Sequence, residues 1–212
     1  MFSVIFDMDG TLLDTQRIFI SSWDWAGERQ GIKNLGSHVP AVCGSNDAGW
    51  MKYLKDNFPR LDLERFVEEN KQYVVENLVV KYKKGAEEMI TLLKGNGVKI
   101  ALASGSSHPV IAHHLEKVGG ANYFDVIVGG MDVQNGKPAP DIFLLAAEKL
   151  GVTPEDCYVI EDSANGIRAG FAAGMKCIGI PDLVQFDSEV KAMMTGEFAS
   201  MTEAADFFKT IL

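Results

Sequence analysis

The sequence predicts an α/β fold, in which helices cover both faces of a parallel sheet, with a small helical domain inserted after the first strand. From Gly85 to the carboxyl terminus, helical patterns alternate strictly with short apolar runs, and this alternation is typical of parallel sheets. Between Thr15 and Tyr82, helical spacing recurs and we find no strand-like alternation. The helical stretch therefore interrupts the sheet domain.

The sheet domain begins with a short apolar run at residues 3–6, bounded by polar residues, which indicates a buried strand. Later strands are predicted at residues 98–103, 126–128, 157–160 and 177–180. Helices are predicted at residues 86–95, 108–118, 141–150, 164–173, 188–194 and 202–209. This order predicts a Rossmann-like core made of residues 1–14 and 83–212.

The helical domain is predicted over residues 15–82. Its first helix, 16–30, has apolar residues at helical spacing and stops at Gly31. A second helix, 47–57, ends before a proline, and Asp62 can cap a third helix from 63 to about 80.

Composition narrows the classes of function. Of 212 residues, 47% are hydrophobic and 23% are charged, as in ordinary folded proteins, and the formal net charge is −9. This charge argues against a nucleic-acid partner and repels anionic substrates unless a local cation reverses its sign. Three widely spaced cysteines match neither a disulfide framework nor a zinc site. We find no signal peptide and no apolar stretch of membrane-spanning length, so we expect a cytoplasmic monomer with no membrane partner.

Polar residues follow four of the predicted strands. They are Asp7 and Asp9, Ser104 and Gly105, Lys137 in the loop after the third strand, and Glu161 and Asp162. Taken singly, each has an ordinary explanation: the acidic residues and Ser104 are typical of turns and helix caps, and a lysine is usually a solvated surface charge. Because parallel strands place their carboxyl ends at one edge of the sheet, however, we expect these groups to converge into one site.

The chemical types in this set fit together. Asp7, Asp162 and Glu161 offer the hard oxygen ligands that Mg²⁺ prefers. Ser104 and the backbone N–H groups after it can bind phosphate oxygens near a helix start. Lys137 supplies a compact positive charge.

These residues and their neighbours resemble the haloacid dehalogenase superfamily, and within it the phosphatases and phosphomutases that carry a helical cap. The matching runs are Asp-Met-Asp-Gly-Thr-Leu-Leu-Asp-Thr from residue 7, Ala-Ser-Gly-Ser from 103, Gly-Lys-Pro-Ala-Pro-Asp-Ile-Phe from 136 and Ile-Glu-Asp-Ser-Ala-Asn-Gly-Ile from 160. The superfamily places its cap domain after the first of these runs, so the resemblance covers the whole chain.

The resemblance implies a role for each site residue. Asp7 is expected to take the phosphoryl group as an aspartyl phosphate. Asp9 is expected to protonate the leaving oxygen, later to activate water, and to place its backbone carbonyl on Mg²⁺. Ser104, Gly105 and Lys137 are expected to hold the phosphate, and Asp162, with Glu161 nearby, to complete the metal site.

Differences among members of the family guide the choice of reaction. Dehalogenases and phosphonate-cleaving relatives lack the second Asp, so Asp9 favours a phosphate ester. The β-phosphoglucomutases carry a cap histidine shortly after the Asp-Thr step and an arginine after Gly-x-Ser. Here those stretches read Gln-Arg-Ile-Phe from residue 16 and Gly-Ser-Asn from residue 44, which favours a phosphatase.

Cap residues are expected to select the leaving group. The candidates are Arg17, Trp23, Asn46 and Lys71. Trp23 can instead pack inside the cap. The three histidines at positions 108, 113 and 114 are expected at the surface of a core helix.

The sequence therefore predicts a Mg²⁺-dependent phosphatase for a small phosphorylated metabolite, such as a sugar phosphate. Cap and core are expected to close over it about hinges near Thr15 and residues 81–84. A β-phosphoglucomutase-like enzyme is the alternative within the family. An alternative of another class is a regulatory or binding protein with an aspartyl-phosphate pocket but no useful turnover, although such a switch has no need for Asp9 as an acid.

Overall fold

A computed structural model describes residues 2–212 and contains one six-stranded sheet. Its strands are β1 (Ser3–Phe6), β2 (Ile100–Ala103), β3 (Val126–Val128), β4 (Cys157–Glu161), β5 (Lys176–Gly179) and β6 (Gly196–Glu197). All neighbours are parallel, in the order β3-β2-β1-β4-β5-β6. The predicted fold class is confirmed. Only β6 was not predicted, because two residues are too short to show a pattern.

The helices follow the predicted order along the chain. They are α1 (Arg17–Glu28), α2 (Asp47–Asn57), α3 (Leu63–Asn77), α4 (Ala86–Gly95), α5 (His108–Lys117), α6 (Asp141–Leu150), α7 (Ala164–Ala172), α8 (Ser188–Lys191) and α9 (Met201–Lys209). Short 3₁₀ segments lie at Leu35–Val42, Gly130–Asp132 and Pro154–Asp156. The third helix ends three residues before the predicted position 80, where Leu78 turns extended and two β-branched valines follow.

The sheet is buried from both sides. Alternate residues of the central strand β1 point to opposite faces, as the period of a strand requires. Val4 and Phe6 pack in a cluster with residues of α4 and α9, whereas Ile5 packs with residues of α6 and α7. Because both faces are covered, the open edge at the carboxyl ends of the strands is where polar groups can gather.

The cap helices have an apolar cluster of their own, made of residues from α1, α2, α3 and the segment Leu35–Val42. Trp23 is 3% exposed and meets the Phe66 ring edge-on, with 5.7 Å between ring centroids. Trp23 therefore contributes to cap packing. The sequence pattern did not predict the Leu35–Val42 segment, which contains a glycine and a proline.

Two chain segments run side by side between this helical unit and the sheet. The Asp14 N–H donates to the Lys81 carbonyl at 3.0 Å, and the Lys83 N–H donates to the Leu12 carbonyl at 2.9 Å. The predicted domain boundaries and the predicted hinges near Thr15 and residues 81–84 lie at or beside these paired segments, and both stay predictions. Among residues 2–212, no helix has both the length and the apolar surface that crossing a bilayer requires.

Candidate active site

The predicted site residues meet at the carboxyl edge of the sheet. Asp7 directly follows β1, Ser104 follows β2, and Glu161 ends β4 with Asp162 after it. Lys137 reaches the same place from the loop between β3 and α6. The structure thus brings side chains from four strand ends together, and all five are at most 5% exposed.

Lys137 is held at the centre of this group. Its Nζ donates to Asp7 Oδ1 at 2.6 Å, to Glu161 Oε1 at 2.7 Å and to the Ala103 carbonyl at 3.2 Å. All three donor positions of the ammonium are therefore used. The attraction of Asp7 and Glu161 raises the pKa of Lys137 above its ordinary value despite burial, so the side chain remains charged.

Glu161 fixes the turn between β4 and α7. Its Oε2 accepts hydrogen bonds from the backbone N–H groups of Asp162 and Ser163, both at 3.0 Å, and from Ser163 Oγ at 2.8 Å. Ser163 also caps α7 by accepting from the Gly166 N–H. A Cβ at Gly166 would collide with the Glu161 carboxylate, which explains why the helix has a glycine in its first turn.

Three carboxylates crowd this buried site. Oxygen atoms of Asp7, Glu161 and Asp162 lie within 4.8 Å of one another. Burial raises the pKa of Asp7 to about 7; Lys137 opposes this change and Glu161 adds to it. Burial also raises the pKa of Asp162 well above its ordinary value, and repulsion from Glu161 and Asp7 adds to the effect.

This imbalance fits a divalent cation. Three carboxylates face a single ammonium, and uncompensated charge is costly in a buried site. The oxygen atoms of Asp7, Glu161 and Asp162 would hold the ion, and Thr11 Oγ1 orients Asp162 by donating to its Oδ1 at 3.0 Å. When bound, such an ion supplies positive charge that neutralises the carboxylates and an incoming phosphoryl group.

The Asp9 carboxylate is held by hydroxyl groups. Its Oδ1 accepts from Thr15 Oγ1 at 2.6 Å, and its Oδ2 accepts from Ser106 Oγ at 2.9 Å and from Ser104 Oγ at 3.4 Å. The Asp9 carbonyl accepts from Gln16 Nε2 at 2.6 Å and keeps a second lone pair. The metal role of this carbonyl stays a prediction.

The cap touches the core through its loop at residues 43–46. Asn165 Nδ2 donates to the Cys43 carbonyl at 3.2 Å. Gly44 lies against Ser163, and Gly105 lies so close to the Ser45 carbonyl that an added Cβ would come within 2.9 Å of it. The predicted phosphate-binding backbone at Gly105 is therefore covered by the cap loop.

A cavity of about 1090 Å³ opens between α3 of the cap and α5 of the core. Asp9 and Ser106 lie on its wall, and so do the predicted leaving-group residues Trp23 and Lys71. Arg17 and Asn46 do not line this cavity, although Asn46 lies against Gly105 and Gly136 at the edge of the sheet. Arg17 donates to Asp182 Oδ1 at 2.7 Å on the surface, and Asn46 caps α2 by accepting from the Gly49 N–H at 3.0 Å.

Comparison with known proteins connects this geometry to a family. A family model described as haloacid dehalogenase-like hydrolase matches residues 4–180. The chain belongs to the haloacid dehalogenase-like hydrolase family.

Individual known proteins resemble most of the chain. A phosphorylated carbohydrates phosphatase of Thermotoga maritima is 34% identical over 182 residues, which cover 84% of each chain. A phosphoglycolate phosphatase of Shigella boydii is 30% identical over 202 residues, covering 84% of this chain and 80% of its own. The crystal structure of a β-phosphoglucomutase of Clostridium difficile superposes with a TM-score of 0.82 at 25% identity, over 99% of this chain and 96% of that one. The predicted family and enzyme class, a phosphatase of the haloacid dehalogenase-like type, are confirmed.

Sequence reasoning misplaced one histidine that lies beside Asp9. His114 was expected at the surface, and this prediction is wrong: it is 6% exposed, and its Nδ1 lies 3.8 Å from Asp9 Oδ1. Burial lowers the pKa of His114, although the nearby Asp9 carboxylate opposes this. A signal was present, because His114 shares the apolar stripe of α5 with Ile111 and Leu115, both buried.

Proposed function

We propose that the chain is a Mg²⁺-dependent phosphatase that hydrolyses a small phosphorylated metabolite, with sugar phosphates among the candidates, through an aspartyl-phosphate intermediate. The observation that carries this proposal is the contact of Asp7 with Lys137 beside two further buried carboxylates. Hard carboxylate oxygens in a small cluster suit Mg²⁺, which takes one or two carboxylates and keeps several waters.

The residues divide the reaction between them. An Asp7 oxygen attacks the phosphorus atom, a new O–P bond forms, and the bond from phosphorus to the leaving oxygen breaks. Asp9 gives its proton to that leaving oxygen. Asp9 then takes a proton from water, whose oxygen attacks the phosphorus atom and releases Asp7 as a carboxylate.

Lys137 and the hydroxyl groups prepare these steps. Attack requires the ionised form of Asp7, which the Lys137 ammonium stabilises against the effect of burial. A bound phosphoryl group would accept hydrogen bonds from Ser104 Oγ and Lys137 Nζ, each in exchange for one of its present contacts, as charge moves from the leaving group. Thr15 and Ser106 hold the Asp9 carboxylate in place between the two proton transfers.

The names of two relatives support a small organic phosphate as substrate. One of them is named for phosphorylated carbohydrates and another for phosphoglycolate. The cavity of about 1090 Å³ has room for a leaving group larger than glycolate. This favours a sugar-sized substrate.

A panel of phosphorylated metabolites, screened for phosphate release with and without Mg²⁺, tests the proposal. We expect turnover of at least one ester with Mg²⁺, and loss of that turnover in Asp7→Asn. If the wild-type protein released no phosphate from any ester, including p-nitrophenyl phosphate, the regulatory or binding alternative would replace the phosphatase.

The likeness to the Clostridium difficile β-phosphoglucomutase supports a second candidate, a phosphosugar mutase. A mutase must keep water from its phosphorylated Asp until the sugar reorients. An assay primed with glucose 1,6-bisphosphate separates the two functions. Faster interconversion of β-glucose 1-phosphate and glucose 6-phosphate than phosphate release would identify a mutase.

A further inference from the structure

Two buried polar atoms in the cavity have no hydrogen-bond partner. Within residues 2–212, five buried side-chain atoms are unpaired, and two of these belong to cavity-lining residues: Asn70 Oδ1 on α3 and His114 Nδ1 on α5. Asn70 is 8% exposed and His114 is 6% exposed. One lies on the cap wall and the other on the core wall.

Unpaired buried polar atoms are rare in folded proteins because burial removes their bonds to water. The polar side chain of Asn70 is unusual at its position, because Val67 and Val74, which lie one turn before and one turn after it on α3, also line the cavity and are apolar. A larger apolar side chain at position 70 would match this stripe. An asparagine there has no structural explanation among the described residues, which indicates that it serves a ligand.

His114 lies beside Asp9 on the cavity wall. Its Nδ1 is 3.8 Å from Asp9 Oδ1, too far for a hydrogen bond between the two. Thr15 and Ser106 already bind the Asp9 carboxylate. His114 therefore has a free nitrogen beside Asp9, the residue proposed to protonate the leaving oxygen.

We propose that Asn70 and His114 determine leaving-group specificity by hydrogen-bonding hydroxyl or N–H groups of the substrate. The proposal rests on the proposed phosphatase function. Asn70 Oδ1 accepts only, so its partner must be a donor, and a hydroxyl can pair with the His114 nitrogen in either tautomer. The chemical class is a phosphomonoester of a polyhydroxylated alcohol, whose hydroxyls can donate to Asn70 Oδ1 and pair with His114 Nδ1.

The test compares two substrates in variants that remove one polar atom each. Asn70→Leu and His114→Leu are assayed with a panel of sugar and polyol phosphates and with p-nitrophenyl phosphate, whose leaving group has no hydroxyl beyond the reacting oxygen. We expect kcat/KM for the best polyol phosphate to fall by on the order of 10- to 100-fold, mainly through KM. We expect kcat/KM for p-nitrophenyl phosphate to fall much less than for the polyol phosphate, because its leaving group has no further hydroxyl whose hydrogen bond could be lost.

Conservative variants and a matched control sharpen the comparison. Asn70→Asp keeps an acceptor and His114→Asn keeps a polar atom near the Nδ1 position, so each is expected to recover part of the discrimination. Asn77→Leu, at an exposed position of the same helix outside the cavity, is expected to leave both substrates unaffected.

Thermal unfolding distinguishes a ligand-binding role of Asn70 and His114 from a purely structural role. Because the leucine variants remove unpaired buried atoms, we expect their melting midpoints to equal or exceed that of the wild type. Lower midpoints, or equal losses of activity on both substrates, would overturn this inference while leaving the phosphatase intact. Absence of turnover of every ester by the wild type would overturn both.

Discussion

Lys137 Nζ donates a hydrogen bond to Asp7 Oδ1 at 2.6 Å, although 130 positions separate the two residues in the chain. The contact joins the first strand of the sheet to the loop after the third. The contact keeps part of the Asp7 population ionised near neutral pH, although burial raises the pKa of Asp7 to about 7, and the nucleophilic role that we propose for Asp7 requires this.

Removing the ammonium tests the energetic role of this contact. Lys137→Met leaves Asp7 and Glu161 buried without their cation, and we expect the free energy of unfolding in urea to fall by about 3–5 kcal/mol. Lys94→Met removes an exposed ion pair to Asp125 and is expected to cost less than about 1 kcal/mol. Equal effects of the two substitutions would contradict this description of Lys137.

The pKa of Asp7 predicts a pH dependence of the metal-free protein. Its pKa rises from 3.8 in the unfolded chain to about 7 in the folded protein, so between these values the folded state binds the extra proton. The stabilising effect of this proton is complete below the lower value and is lost as the pH rises towards 7.

Urea unfolding in a chelator, from pH 4 to pH 8, measures this effect. We expect the wild type to lose stability relative to Asp7→Asn across this range, because asparagine cannot titrate. A constant difference between the two proteins would show that Asp7 keeps an ordinary pKa.

Asp9→Asn tests the proposed role of Asp9 as the acid that protonates the leaving oxygen. Proton donation matters most for poor leaving groups, so kcat/KM for an alkyl phosphate is expected to fall by about 10²- to 10⁴-fold. For p-nitrophenyl phosphate the fall is expected to be much smaller, since p-nitrophenolate leaves without a proton. Equal falls for both substrates would assign Asp9 a role other than protonation.

Gly44→Ala tests the contact between the cap loop and the core. Gly44 has a φ of +78°, and a Cβ there would collide with Ser163 Oγ. Gly31 has a similar φ of +76° but open space around it, so Gly31→Ala adds the same backbone strain, about 1–2 kcal/mol, without the collision.

We therefore expect Gly44→Ala and Gly31→Ala to differ in activity more than in stability. We expect similar losses of unfolding free energy, or a somewhat larger one for Gly44→Ala, but a fall of about 10- to 100-fold in kcat/KM for Gly44→Ala alone. If Gly31→Ala lost as much activity, strain within the cap rather than contact with Ser163 would be responsible.

The sequence predicted the sheet-edge residues because their positions follow from topology. Asp7, Ser104, Lys137 and Asp162 each come after a strand, and parallel strands end at one edge whatever their helices do. Predicting these positions required only the residue types and the alternation of helices and strands along the chain. For these positions, local pattern and tertiary placement agree.

Residues facing the cavity from helices were harder to predict. Whether a cap residue reaches the leaving group depends on how the cap sits on the core, which no local pattern encodes. Arg17 was predicted to reach the leaving group but forms an ion pair with Asp182 instead. Asn70 was not predicted, although it lines the cavity. His114 was expected at the surface together with His108 and His113, although its position beside Ile111 and Leu115 indicated the buried side of the helix.

The paired segments at residues 12–14 and 81–83 have a consequence for how such enzymes diversify. Because the chain leaves the sheet and returns to it at adjacent points, joined by the Asp14–Lys81 and Lys83–Leu12 backbone bonds, an insertion of different length or sequence can occupy the same entrance. New substrates can then be acquired by exchanging one module, while the phosphoryl-transfer apparatus is inherited unchanged.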